Sequence, residues 1–114
     1  MVDLRLEVGD RAGDVTVVTV EGEVDMATAP TLRERLHALV ADGRRTIIVD
    51  LEKVDFLDST GLGVLIGAMR RLRSADGDLI VVVTQPRIRK VFEITGLDRA
   101  FRMHDSVDDA LAPG

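Results

Sequence analysis

The sequence predicts a single α/β domain built on a mixed β-sheet. Short runs of apolar or β-branched residues alternate with segments whose apolar residues recur at helical spacing, in the order β-β-α-β-α-β-α-β-α. The first two strands follow each other directly and predict a hairpin, whereas right-handed crossover connections set the later strands parallel. Because 114 residues suffice for one core but not for two, we expect residues 1–114 to form one domain.

Each predicted element has its own local signal. The predicted strands are rich in apolar or β-branched residues and comprise 4–8, 15–24, 46–51, 78–84 and 101–103. The predicted helices begin at Thr28–Pro30, Asp58–Thr60, Pro86 and Ser106, and they end near Gly43, Ala75–Gly77, Gly96 and Leu111. The run 46–51 is almost wholly apolar and predicts a strand in the middle of the sheet. We expect EKVDFLD (52–58) to be a loop and Ala112–Gly114 to be a frayed end.

The charge and the aromatic content disfavour nucleic acid as a partner. A net charge of −5 leaves no excess of Lys and Arg for broad contacts with phosphates. The chain has three Phe and neither Trp nor Tyr, so it lacks aromatic platforms on which bases could stack. We therefore expect no binding of DNA or of single-stranded RNA.

The chain also lacks the sequence signals of membrane and secreted proteins. No apolar run approaches the ~20 residues that span a bilayer. The charged stretch after Met1 differs from the apolar core of a secretory signal. The absence of cysteine excludes disulfides and thiolate catalysis, and it removes the ligands of most structural zinc sites. We expect a cytoplasmic protein with no metal and no cofactor.

The stretch FLDSTGLGV (56–64) combines an acid, two hydroxyls and two glycines where a helix is predicted to begin. Asp, Ser and Thr are preferred N-cap residues, so Asp58, Ser59 or Thr60 can cap this helix. One cap needs only one side chain, and a glycine within a helix costs up to ~1 kcal/mol relative to alanine. Three interpretations are open: a cap alone, the nucleophile or phosphate-binding turn of an enzyme, and a hydroxyl that another protein modifies.

The enzymatic interpretations lack the residues that they require. Gly67 lies one position late for the G-x-G-x-x-G dinucleotide motif, and the chain has no Gly-Lys-Ser or Gly-Lys-Thr of a Walker A loop. A serine nucleophile would need a histidine base and a G-x-S-x-G turn, whereas Ser59 lies in L-D-S-T-G. His37 is predicted on the polar face of a helix and His104 in a turn, so we expect neither to act as a base. No catalytic residue is predicted.

Three stretches of the chain resemble the STAS domains, and within that family the single-domain bacterial anti-sigma factor antagonists. GEVDMATAP (22–30) resembles the family's Gly-Glu-x-Asp strand end and Pro-led helix, DSTGLGV (58–64) its phosphorylation motif, and ITGLDRAF (94–101) its Gly-Leu helix exit. Their order and spacing agree along nearly the whole chain. The resemblance implies a STAS-like mixed sheet, an N-terminal hairpin plus parallel strands, with about four helices packed mainly on one side.

The resemblance also implies a switch that phosphorylation controls. In such antagonists the serine after the Asp, here Ser59, is phosphorylated by an anti-sigma factor that is itself an ATP-dependent serine kinase, and a phosphatase reverses this. The unmodified antagonist binds the anti-sigma factor and releases a sigma factor for transcription, and the phosphorylated form loses this binding. The chain would be a substrate and a ligand without catalysis of its own. The alternative is a STAS module that serves as a scaffold or sensor in a larger regulatory or transport-linked assembly.

We place the predicted partner surface around the same motif. Asp25, just past the second strand, is expected near the same end of the sheet as Ser59. A phosphate on Ser59 would lie beside the like charge of Asp58, and a partner would have to desolvate both groups. The residues predicted to contact the anti-sigma factor are Asp25, Asp58, Ser59, Thr60, Gly61, Leu62 and Gly63.

Overall fold

The structure, a computed structural model, describes residues 4–112 and has the predicted order of elements. The elements are β1 (Leu4–Arg11), β2 (Val15–Val24), α1 (Ala29–Ala41), β3 (Thr46–Leu57), α2 (Ser59–Ser74), β4 (Asp78–Val82), α3 (Pro86–Ile94), β5 (Arg102–His104) and α4 (Val107–Leu111). The predicted frayed end falls largely on residues 113 and 114, which lie outside the described residues.

The five strands form one sheet in the order β1-β2-β3-β4-β5. β1 and β2 are antiparallel and form the predicted hairpin, whose turn contains Gly13 and Asp14 with positive φ (83° and 61°). From β2 to β5, neighbouring strands run parallel. An α/β fold on a mixed sheet is therefore confirmed, and β3 lies in the middle as predicted.

The helices cover the two faces of the sheet unequally. α1, α2 and α3 bury their apolar residues on one face, in a main core that also receives alternate residues of the strands. On the opposite face, α4 packs against a smaller cluster formed by Val17, Ile48, Ile80 and Val82. Three of the four helices thus share one side, which agrees with the fold implied by the resemblance.

The prediction of a loop at EKVDFLD is wrong, because β3 continues through Leu57. Val54 and Leu57 are buried and belong to the main core. The residues around Val54 are charged, so the sequence of this segment lacks the apolar pattern of a strand. The register between β2 and β3 also shifts twice in this part of the sheet. Such β-bulges break the alternation of apolar and polar residues, so periodicity alone does not reveal the end of this strand.

Gln85 supports β3 beyond the end of β4. The pairing between β3 and β4 ends with Asp50 opposite Val82. Beyond that point the Nε2 group of Gln85 donates hydrogen bonds to the carbonyl oxygens of Glu52 (3.2 Å) and Val54 (2.8 Å). This amide replaces the missing strand, because it satisfies carbonyl groups that would otherwise lack a partner inside the protein.

Gly77→Ala tests a close contact between the α2–β4 connection and the start of β3. A methyl group on Gly77 would lie 2.0 Å from the carbonyl oxygen of Arg45. That oxygen also accepts a hydrogen bond from the N–H of Asp78 (2.9 Å), which restricts its movement. We expect Gly77→Ala to lower the free energy of unfolding by about 1–3 kcal/mol, as measured by urea denaturation.

Gly67→Ala is the matched control for this substitution. No heavy atom lies within 4 Å of a methyl group added at Gly67, which lies inside α2. Alanine is the better helix former, so this variant should be more stable than the natural chain by about 0.5–1 kcal/mol. A Gly77→Ala variant that unfolds at the same urea concentration as the natural chain would contradict the contact.

Candidate functional site

The carboxyl ends of β2 and β3 meet the start of α2 at one edge of the sheet. Val24, the last residue of β2, pairs with Leu57, the last residue of β3. The next residue, Asp58, donates its backbone N–H to the carbonyl oxygen of Val24 (3.2 Å). The two strands therefore fix the point at which α2 begins, and with it the position of the DSTGLGV motif.

Asp58 is the N-cap of α2. Its backbone is extended (φ −107°, ψ −173°), and its Oδ1 atom accepts hydrogen bonds from the N–H groups of Thr60 (2.9 Å) and Gly61 (3.1 Å). Its carbonyl oxygen accepts a hydrogen bond from the N–H of Leu62 (3.0 Å). A carboxylate here satisfies two free donors and interacts favourably with the positive end of the helix dipole. Of the three candidate caps, the structure therefore assigns this role to the acid.

The two hydroxyl groups are not needed to cap α2. Ser59 is the first residue of the helix, Thr60 is the second, and both are exposed. Since Asp58 already supplies the cap, capping alone does not account for two further polar side chains at this position. The remaining interpretations are modification by another protein and catalysis, which depend on the neighbouring groups.

The three residues after the hydroxyls differ in their exposure. Gly61 and Leu62 are buried, and a methyl group on Gly61 would lie 2.6 Å from side-chain carbons of Leu57 and Val24. Internal packing therefore explains this first glycine. Gly63 is exposed, and no heavy atom lies within 4 Å of a methyl group added there. Contacts of these three residues with a partner stay a prediction, and Gly63 is the one of the three that lies on the surface.

Asp25 lies at the same edge of the sheet, in the turn between β2 and α1. Its Oδ1 atom accepts hydrogen bonds from the N–H groups of Ala27 (2.9 Å) and Thr28 (3.0 Å). The hydroxyl of Thr28 accepts a hydrogen bond from the N–H of Asp25 (3.0 Å) and donates one to the carbonyl oxygen of Glu23 (2.7 Å). Asp25 thus shapes the turn that leads into α1, and its predicted contact with a partner stays a prediction.

Two apolar side chains beside the motif are exposed. Met26 is 76% exposed at the tip of the turn into α1, and Phe56 is 47% exposed near the end of β3. Phe56 also lines a small cavity of about 140 Å³ together with Ile88 and Val91 of α3. The sequence does not reveal that Phe56 lies on a strand, because Phe56 falls within the segment predicted as a loop. Exposed apolar side chains at the edge that carries a candidate site are typical of protein-binding surfaces.

Neither histidine is placed to activate Ser59. Burial, followed by the charges of Arg71 and Arg33, lowers the pKa of His37 on α1. His37 also follows Ala29, the first residue of α1, by eight residues, or about 12 Å along the helix axis, which takes it away from the edge of the sheet where α2 begins. His104 lies in β5, two strands away from β3, which is about 10 Å.

Residues 4–112 contain no group of three or more His, Asp or Glu side chains that could hold a metal ion. No helix in the same range is both long enough and apolar enough to cross a membrane.

The variants Asp58→Ala and Ser59→Ala test whether Asp58 or the hydroxyl of Ser59 stabilises the start of α2. We expect Asp58→Ala to lower the free energy of unfolding by about 0.5–2 kcal/mol, because two N–H groups lose their acceptor. Ser59→Ala should stay within about 0.5 kcal/mol of the natural chain, because Ser59 is exposed and does not cap the helix. Urea denaturation followed by circular dichroism measures both values. Equal losses in the two variants would contradict the assignment of the cap.

Comparison with known proteins adds to this geometry. The family model described as STAS domain matches residues 8–110. An anti-sigma-B factor antagonist of Staphylococcus aureus (strain NCTC 8325 / PS 47) is 40% identical to this chain over 91 residues, which are 80% of this chain and 84% of that protein.

Solved structures agree with the family model. The crystal structure of an anti-sigma factor antagonist from Mycobacterium paratuberculosis has a TM-score of 0.88 at 39% identity, over 95% of this chain and 91% of that chain. The Bacillus cell fate determinant SpoIIAA in its phosphorylated form has a TM-score of 0.73 at 27% identity, over 94% of this chain and 96% of that chain. Since the family model extends from within β1 to within α4 and includes the DSTGLGV motif, the chain belongs to the STAS domain family.

Proposed function

We propose that this chain is an anti-sigma factor antagonist whose binding is controlled by phosphorylation of Ser59. The unmodified chain binds an anti-sigma factor and so releases a sigma factor for transcription in the cytoplasm. That anti-sigma factor is a serine kinase, which phosphorylates Ser59 and thereby ends the binding, and a phosphatase restores it. The proposal is supported by two relatives that are named anti-sigma factor antagonists and by a third that has been solved in a phosphorylated form.

The observation that carries the proposal is an exposed serine at a helix start that is already capped. The Oδ1 atom of Asp58 accepts hydrogen bonds from the N–H groups of Thr60 and Gly61, so a phosphate on Ser59 would find these two donors engaged. The positive end of the helix tolerates the added charge. The phosphate therefore stays at the surface, where it changes the charge that a partner meets without requiring the helix to unfold.

The same arrangement explains why a partner would release the phosphorylated chain. A phosphate brings about 1.5 to 2 negative charges at pH 7, and on Ser59 it would lie beside the carboxylate of Asp58. A partner packed against Ser59 would have to remove water from both groups, which costs free energy unless the partner supplies matching cations. Repulsion between like charges and the loss of hydration both weaken the complex.

The proposed contact surface extends from Ser59 to the neighbouring turn and strand end. Thr60 and Gly63 are exposed on α2, and Met26 and Phe56 add exposed apolar surface from the turn into α1 and from β3. The hydrogen bonds that fix this turn and the cap leave few groups to be ordered when a partner binds. Such preorganisation favours affinity, because less conformational entropy is lost on association.

We also propose that the chain has no catalysis of its own. In the phosphorylation step the bond between the γ-phosphorus of ATP and its bridging oxygen breaks, ADP leaves, the phosphoryl group passes to the Oγ atom of Ser59, and a base of the kinase takes the hydroxyl proton. This chain has no Walker A loop, and neither of its two histidines is placed beside Ser59. The isolated chain mixed with Mg²⁺ and ATP should therefore neither hydrolyse ATP nor label itself.

Ser59, rather than Thr60, should receive the phosphate from the cognate kinase. Mass spectrometry after incubation with the kinase and ATP should locate a single phosphate on Ser59, and Ser59→Ala should remain unmodified. Thr60 is also exposed, at the next position of the helix, and serves as the internal control. A phosphopeptide with the phosphate on Thr60 and an intact Ser59 would refute the assignment.

Ser59→Asp should bind the anti-sigma factor at least about tenfold more weakly than Ser59→Ala, because it places a second negative charge beside Asp58 in the interface. It should nevertheless melt at the same temperature as Ser59→Ala or higher, since a carboxylate suits a helix start. Calorimetric titration and thermal melts measure the two effects separately.

Ser106→Asp is the matched control for the added charge. The Oγ atom of Ser106 caps α4 by accepting a hydrogen bond from the N–H of Asp109 (3.0 Å), and α4 lies on the other face of the sheet. Aspartate is an equally good cap, so this variant should fold and should bind the anti-sigma factor like the natural chain. If Ser59→Asp binds as tightly as Ser59→Ala, the charge-controlled mechanism fails.

A further inference from the structure

The outer edge of β1 is the longer of the two free edges of the sheet. β1 has eight residues, whereas β5 at the opposite edge has three. Edge strands are usually protected from other chains by short length, by proline, by a β-bulge or by charged side chains. Of these β1 has only the charges, since its sequence LRLEVGDR lacks proline and it pairs with β2 without a shift in register. Among residues 4–112, no other strand covers its outer edge.

The side chains of β1 form an apolar row and a charged row. Leu4 is buried and Leu6 half-buried against the main core, and Val8, next in the same row, is 38% exposed. Arg5 and Glu7 alternate with them, so they point to the opposite face of the sheet, and both are exposed. Neither has a salt-bridge partner within the described part of the chain. The edge thus presents exposed apolar surface and two opposite charges, of which Arg5 also lies opposite Glu21 of β2 in the register of the sheet.

We propose that β1 pairs with β1 of a second copy of this chain, antiparallel and two-fold symmetric about Leu6. In this register Arg5 lies opposite Glu7 of the second copy, and Leu4 lies opposite Val8 of the second copy. Both opposite-charge pairs then form on one face of the joined sheet, and the apolar rows become continuous on the other face. Cross-strand pairs of these two kinds stabilise antiparallel sheets.

The charges select this register among the neighbouring ones. A pair centred on Arg5 would place this arginine opposite its own copy, and a pair centred on Glu7 would do the same with the glutamate. Like charges directly opposite each other are destabilising. A charged edge ordinarily repels a second strand, whereas here the two charges complement each other across the two-fold axis. Because this interface is the same on both chains, it closes as a dimer and does not continue into a fibre.

The dimer leaves the Ser59 site accessible. β1 lies two strands away from β3, which is about 10 Å, and α2 begins beyond the end of β3. Each dimer therefore presents two separate sites, and its formation does not depend on the phosphorylation of Ser59. The dimer and the proposed function can accordingly fail independently of each other.

Sedimentation velocity over roughly 1 µM to 1 mM tests the proposal on the full chain. The natural chain should change from monomer to dimer as its concentration rises. Arg5→Glu and Glu7→Arg should each weaken dimerisation about tenfold or more, because each substitution opposes like charges twice in the symmetric interface. The double variant Arg5→Glu/Glu7→Arg restores both charge pairs in exchanged positions and should recover the dimer.

Arg11→Glu is the matched control, since it makes the same charge change on β1 outside the paired segment 4–8 and should still dimerise. Circular dichroism checks the fold of each variant. Amide hydrogen exchange gives a second measurement, because alternate amides of β1 should become protected as the natural chain is concentrated. A natural chain that stays monomeric, single variants that dimerise normally, or a double variant that stays monomeric would each overturn the proposal.

Discussion

β3 is the element on which the position of every other part depends. It pairs with β2 over its whole length and with β4 over its first part, and its residues enter the hydrophobic clusters on both faces of the sheet. A slip of one residue would exchange those two faces, so the register of β3 is strongly fixed. Because α2 begins two residues after β3 ends, the same register determines where Ser59 lies. Past the end of β4, β3 has no neighbouring strand on one side, and there the side chain of Gln85 holds it by hydrogen bonds to its carbonyl oxygens.

The order of the elements can be predicted from the sequence because each element has a local signal: apolar periodicity, a helix-opening Pro or a helix-ending Gly. The end of β3 cannot be predicted in this way, because its charged residues and two register shifts interrupt the alternation of apolar and polar residues. This part of the strand is identified only from its pairing with β2. The identity of the cap on α2 is also undetermined in the sequence, since Asp58, Ser59 and Thr60 are all good caps. The extended backbone that follows from the pairing of Val24 with Leu57 gives this role to Asp58.

The glycines of the motif show a second limit of sequence reasoning. Gly61 and Gly63 have the same intrinsic cost in a helix, and the sequence offers the same explanation for both. In the structure Gly61 is required by the side chains of Leu57 and Val24, which come from two different strands, whereas Gly63 faces open space. The resemblance to the STAS domains identifies the motif as a whole. Only the packing separates the residues that build the site from those that another protein can reach.

The cap formed by Asp58 also bears on how long a signal would last. Under the proposed switch, Asp58 holds the same two amides before and after modification, so neither state has to wait for a helix to refold. Phosphate monoesters are among the slowest bonds to hydrolyse in water without an enzyme. The lifetime of each state is then set by the concentrations of the kinase and the phosphatase. Under the proposed switch the chain stores one binary state, which the most recent enzyme to act on Ser59 sets and which lasts until another enzyme reverses it.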